Sequence, residues 1–154
     1  MPENRLELID ADLSARLERL STTQQRAAAL AACHAALERT GLSDPILDEG
    51  LEALEHARYG SSLLQKQIET FVASLDQVQW DLHDLMDEGR ADEATYLAAF
   101  QRARAAHSVY FALDADPFRA VTESIYEANA AIGDLASLRA TVLAALGKRD
   151  ARDL

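Results

Sequence analysis

SSLLQKQIETFVASLDQVQWDLHDLMDE, residues 61–88, decides the fold class. Leu64, Ile68, Phe71, Leu75, Val78, Leu82 and Leu85 follow one another at spacings of four and three. That period of 3.5 belongs to a helix with one apolar seam; a strand would alternate by two. Val72 and Met86 widen the seam on one side, and Gly89 stops it. At 1.5 Å per residue the helix would be about 40 Å long. The pattern predicts one long central helix, the spine of a bundle.

Helix signals continue on both sides. Downstream, Asp92 or Ala91 opens a helix to about Leu113 that carries Tyr96, Leu97, Phe100, His107, Tyr110 and Phe111. Asp116-Pro117 is a cap residue with Pro at the first helical position, and it opens another helix. Gly133-Asp134 breaks that helix, and DLASLRATVLAALG supplies the last one. Upstream, Asp44-Pro45 starts a helix to about Arg58. Gly50 inside it costs roughly 1 kcal/mol relative to Ala and signals either a bend or a close contact. Ser21 and Thr22 cap a helix to about Arg39 with a stripe of Leu30, Cys33 and Leu37, closed by Gly41. A first helix is expected over Arg5 to Leu20. Short connections make successive helices antiparallel neighbours. The expectation is an all-α, single-domain antiparallel bundle of six to seven helices over residues 1–147. A charged tail follows at residues 148–154.

Composition restricts the function. Of 154 residues, 49% are apolar and 27% charged, a folding composition for one domain. The net charge of −11 repels nucleic acid and anionic membrane surfaces, and it attracts a basic protein. Basic residues form no stripe with interleaved aromatics. No apolar run approaches the ~18 residues that span a membrane, and MPENRLELIDADL has no secretory pattern. The expected localisation is cytoplasmic. Cys33, the one cysteine, lies in an Ala-rich helix and reads as a buried thiol.

Tests for chemistry come back negative. Helical-bundle di-metal sites use Glu-x-x-His pairs. The residues three before His34, His56, His83 and His107 are Ala31, Ala53, Trp80 and Arg104. Asp84, Asp87 and Glu88, or His83 with Asp87, lack the loop that gives a cation many oxygen ligands. No metal or other cofactor is expected, and no phosphate loop or nucleophile elbow occurs. His107, Tyr126 and Asn129 mark a possible pocket between the last three helices. That is the basis of the alternative reading, a helical-bundle enzyme or a protein binding a metal or small ligand.

The only Trp sits among acids. On a wheel of 100° per residue, Trp80 falls opposite the seam, with Asp76, Gln77, His83, Asp84 and Asp87 around it. Either another helix covers this back face, or Trp80 is an exposed anchor ringed by charge. Trp is enriched among residues that dominate binding energy, and acids steer a basic partner. The candidate partner-binding residues are Trp80, Asp76, His83, Asp84, Asp87 and Glu88.

The segment AALAACHAALERTGLSDPILDEGLEALEHARYG, residues 28–60, resembles the opening of several small all-α bacterial immunity proteins, cognate inhibitors of secreted toxins. The likeness covers about a fifth of the chain: an Ala-rich helix with one Cys, an Asp-Pro start and an acidic helix ending in Arg-x-Gly. It implies a non-enzymatic inhibitor that occludes a basic toxin, and it assigns no residue a role.

Overall fold

Caps written in the sequence set most helix boundaries. The computed structural model describes residues 4–153, with side chains described from residue 4 to residue 147. It contains a 3₁₀ segment (Arg5–Leu8), α1 (Ala11–Glu18), α2 (Thr22–Thr40), α3 (Pro45–Glu55), α4 (Ser62–Asp87), α5 (Glu93–Ala112), α6 (Pro117–Ile132) and α7 (Leu135–Asp153). There is no strand among the described residues. Ser21 and Gln24 form a reciprocal capping box on α2. Asp44, Asp92 and Asp116 each accept a backbone N–H at the starts of α3, α5 and α6. Gly41 and Gly133 close α2 and α6 in the left-handed conformation that glycine adopts without strain.

The first helix is not continuous. Asn4 caps the 3₁₀ segment, and Asp10 accepts the Leu13 N–H to start α1 afresh. Asp10 also receives Arg139 Nη1 at 2.8 and 2.9 Å, which ties this corner to α7. A capping acid with a remote cation interrupts what the leucine spacing alone reads as one helix. At the other end α7 runs to Asp153, so the tail carries helical backbone that far. The tail's side chains, Leu154 and residues 1–3 lie outside the described residues.

The core is built on α2, α5 and α6. Its contact surfaces are small: Ala28, Ala29, Ala32, Cys33 and Ala36 on α2, Ala105, Ala106 and Ala112 on α5, and Ala128 and Ala131 on α6, all buried. The expected α2 stripe is therefore corrected. Leu30 and Leu37 lie at its half-buried edges, and alanines face the neighbours. A buried CH₂ contributes only about 0.8 kcal/mol, so such a core depends on many close contacts. Gly50 extends this to α3: a Cβ there would stand 2.9 Å from Val109 Cγ1 and 3.1 Å from Ile68 Cδ1. Close approach, rather than a bend, explains that glycine.

The long helix forms as expected but is not central. α4 packs on α5 and α3, to one side of the α2–α5–α6 core. Gln65 meets Leu113, Asp76 meets Arg104, and His83 meets Tyr96. Residue numbers rise on α4 as they fall on α5, so the pair is antiparallel. The buried line of α4 is Ile68, Val72, Asp76 and Gln79. Val78, expected in the seam, is 51% exposed, and Leu75, Leu82 and Leu85 are half-buried. The helix is rolled away from its apolar seam because Asp76 has partners on α5.

Candidate functional site

From Trp80 to Arg102 no residue is buried. The second half of α4, the Gly89 turn and the first half of α5 thus form a two-helix arm that extends past the core. Trp80 stands on it 56% exposed and Leu97 47% exposed. Of the predicted site residues, His83, Asp84, Asp87 and Glu88 are exposed on the same arm.

Helical spacing shows which of these share a face. Glu69, Ala73, Asp76, Trp80, His83 and Asp87 succeed one another by four and three, forming one line along α4. The near end of the line is fixed by Glu69, Ala73 and Asp76, which border a cleft with His107 and Phe111 of α5. Its far end is fixed by His83, whose ring meets Tyr96 edge-on at 5.3 Å. Trp80 lies between the two. On α5, Tyr96, Phe100, Arg104, His107 and Phe111 form the facing stripe, all half-buried. Tyr96 and Phe100 are 6.3 Å apart, and the Arg104 guanidinium lies 5.5 Å from the Phe100 ring. Leu97 is three residues before Phe100 and seven before Arg104, so it borders the same stripe. The arm therefore presents a face of Trp80, His83, Tyr96, Leu97 and Phe100. Asp84, Asp87 and Glu93 rim it.

Asp76 is the exception among the predicted residues. It is turned inward: Arg104 Nη2 donates to Oδ1 at 3.2 Å, and His107 Nε2 lies 3.0 Å from Oδ2. A carboxylate with two such partners is an internal strut, so Asp76 is removed from the binding face. His83 is half-engaged, with Nδ1 at 3.5 Å from Asp87 one turn on. Among the described residues no group of three or more His, Cys, Asp or Glu side chains converges as a metal site requires.

Asp76 belongs to a charged network that spacing along the chain does not reveal. Glu127 on α6 has a side chain only 2% exposed; Arg5 donates to Oε1 at 2.7 Å and Arg104 to Oε2 at 3.1 Å. Arg5 also donates through Nε to Glu123 at 2.8 Å, and its guanidinium lies 4.2 Å from the Tyr126 ring centre. Burial works against the Arg5 charge, but hydrogen bonds to Glu123 and Glu127 outweigh it and hold the guanidinium above the ordinary arginine range. An open cleft of about 830 Å³ lies over this network, bordered by Arg5, Arg104, His107, Phe111, Glu123 and Glu127. His107 lines the cleft, whereas Tyr126 packs beneath Arg5 and Asn129 is not part of the lining. The cleft lies between the 3₁₀ segment, α5 and α6, not among the last three helices. The only sequence signal for the network is Glu127 standing four residues after Glu123, so that two acids share one face of α6.

No protein-family model, characterised protein or solved structure matches this chain. Function rests on the site itself.

Cys33 takes no part in either region. Its thiol is fully buried against the Ser108 carbonyl at 3.4 Å, and burial pushes its pKa up to about 12. A thiol held protonated is not a nucleophile at neutral pH.

Proposed function

We infer that the chain is an acidic protein-binding module whose α4–α5 arm docks a basic partner. One observation carries this reading: the only Trp is more than half exposed on an arm with no buried residue, beside Tyr96, Leu97 and Phe100. A large apolar side chain in that position supplies little to its own fold and much to an interface. Asp84, Asp87 and Glu93 on the rim, together with a net charge of −11, complement a basic surface and speed its encounter. The same field disfavours nucleic acid and anionic membranes. No helix among the described residues is long and apolar enough to cross a membrane. The specific form of the reading is an immunity-like or antitoxin-like inhibitor acting in the cytoplasm, which covers a basic toxin and catalyses nothing. Its support is the resemblance in residues 28–60. Those residues lie in α2, α3 and their flanks, away from the arm.

The test is paired affinity capture from the native cell with wild-type and Trp80→Ala bait. A basic protein retained by the first and lost from the second is the expected result. Equal retention by both places binding elsewhere. A second reading, a small-ligand protein or enzyme, draws on the cleft over Glu127 and His107. A ligand that raises the melting temperature in proportion to the logarithm of its concentration, and fails to do so in His107→Gln, would favour it.

A further inference from the structure

We propose that the arm face recognises arginine, so that the partner's docking segment is arginine-bearing and not merely basic. This rests on the reading of the arm as a partner face, and it names the chemistry of the occupant.

Three arginines, Arg5, Arg104 and Arg26, are handled in one way. Arg5 lies over Tyr126 at 4.2 Å and is hydrogen-bonded to Glu123 and Glu127. Arg104 lies 5.5 Å from Phe100 and is bonded to Glu127 and Asp76. Arg26 lies over Tyr59 at 3.6 Å and donates to the carbonyls of Ala112, Asp114 and Ala115. Each of these three guanidiniums has a ring beside it and oxygens within hydrogen-bond reach. The arm repeats these components without an arginine to fill them. Trp80 and Tyr96 supply rings, and Asp84 and Glu93 supply carboxylates that make no ion pair among the described residues. The stripe that ends at Tyr96 is the one on which Arg104 already lies against Phe100 and Asp76.

The chemistry separates arginine from lysine. A guanidinium is planar and weakly hydrated, stacks on rings and bonds a carboxylate through two parallel N–H groups. An ammonium is compact and strongly hydrated, and it loses more on leaving water for an aromatic face. A rim of acids alone would attract both equally, because long-range attraction reads only charge.

The experiment uses two short peptides of equal length and charge, one rich in arginine and one in lysine. Each is titrated against the full chain by calorimetry at low and moderate salt. The arginine peptide is expected to bind at least about tenfold tighter, a difference of about 1.4 kcal/mol. Trp80→Leu and Tyr96→Leu keep an apolar side chain but remove the ring. In either variant the preference should fall toward parity, while the helical spectrum and melting temperature stay close to wild type. Equal affinity for both peptides, both weakened alike by salt, overturns arginine recognition and leaves a basic partner standing. No binding of either peptide at low salt overturns both. A preference that persists in both variants places the arginine site elsewhere and overturns the assignment to this face.

Discussion

The α2–α5–α6 core and the α4–α5 arm share a helix, yet the two halves of α5 are different materials. From Ala103 to Leu113 the helix is lined with buried alanines, Ser108 and Val109, pressed against α2 and α6. From Glu93 to Arg102 nothing is buried. The core half closes on itself with small side chains. The arm half carries larger ones, Tyr96 and Phe100 half-buried and Leu97 exposed, within a helix continuous with the core. The difference teaches that close packing and exposed apolar surface are separated along one helix, with the charged network at Arg104, Asp76 and Glu127 marking the boundary.

The comparison breaks hardest at that boundary. Glu127→Ala leaves Arg5 and Arg104 without their shared buried acceptor. Breaking such a pair costs about 3–5 kcal/mol, so urea denaturation should show a loss of that size. A loss under ~1 kcal/mol would mean that water satisfies both guanidiniums and that the network is not a strut.

Next in size is the contrast between core and arm. Ile125→Ala, at a fully buried position on α6, should cost about 2–5 kcal/mol. Leu97→Ala and Trp80→Ala should each cost less than ~1 kcal/mol, as exposed changes usually do. Similar costs in the two regions would show that the arm is packed in solution. If Trp80 anchors a partner, however, its truncation should cost about 2 kcal/mol or more of affinity.

A smaller effect tests the core by pH. The folded state keeps a proton on Cys33 up to about pH 12, whereas an unfolded thiol gives it up near 9.0. The folded pKa is the higher one, so this contribution is complete below about pH 9 and is lost as pH rises toward about 12. The slope is roughly 1.4 kcal/mol per pH unit. Cys33→Ala should lose stability less steeply over that window. Identical slopes would show that the thiol is not held protonated.

Much of this architecture is legible in the residues, and what is not has physical reasons. Ser21, Asp44-Pro45, Asp116-Pro117, Gly41 and Gly133 act through bonds to neighbours, so local sequence suffices to place the helices. Trp80 could be placed opposite the apolar seam, but its exposure depended on whether another helix lay behind it. Asp76 illustrates the harder case: an acid reads as a surface residue until Arg104 and His107, some thirty residues on, are brought beside it. Once paired it turns inward and Val78 turns out, which apolar spacing cannot anticipate. Alanine misleads in the opposite sense. It adds little to an apolar pattern, yet it decides which helices approach most closely, and that is why α2 and α6, not α4, form the core with α5.

The most direct measurement of the central claim is amide hydrogen exchange over residues 80–102, in the free chain and in complex with the protein retained by affinity capture. Local opening should make these amides exchange far faster than those of Ala105 to Ala112 in the free chain, because few buried contacts hold them. On complex formation they should become protected while the core is unchanged. Arm amides already as protected as the core in the free chain, or unaltered by the partner, would contradict the account.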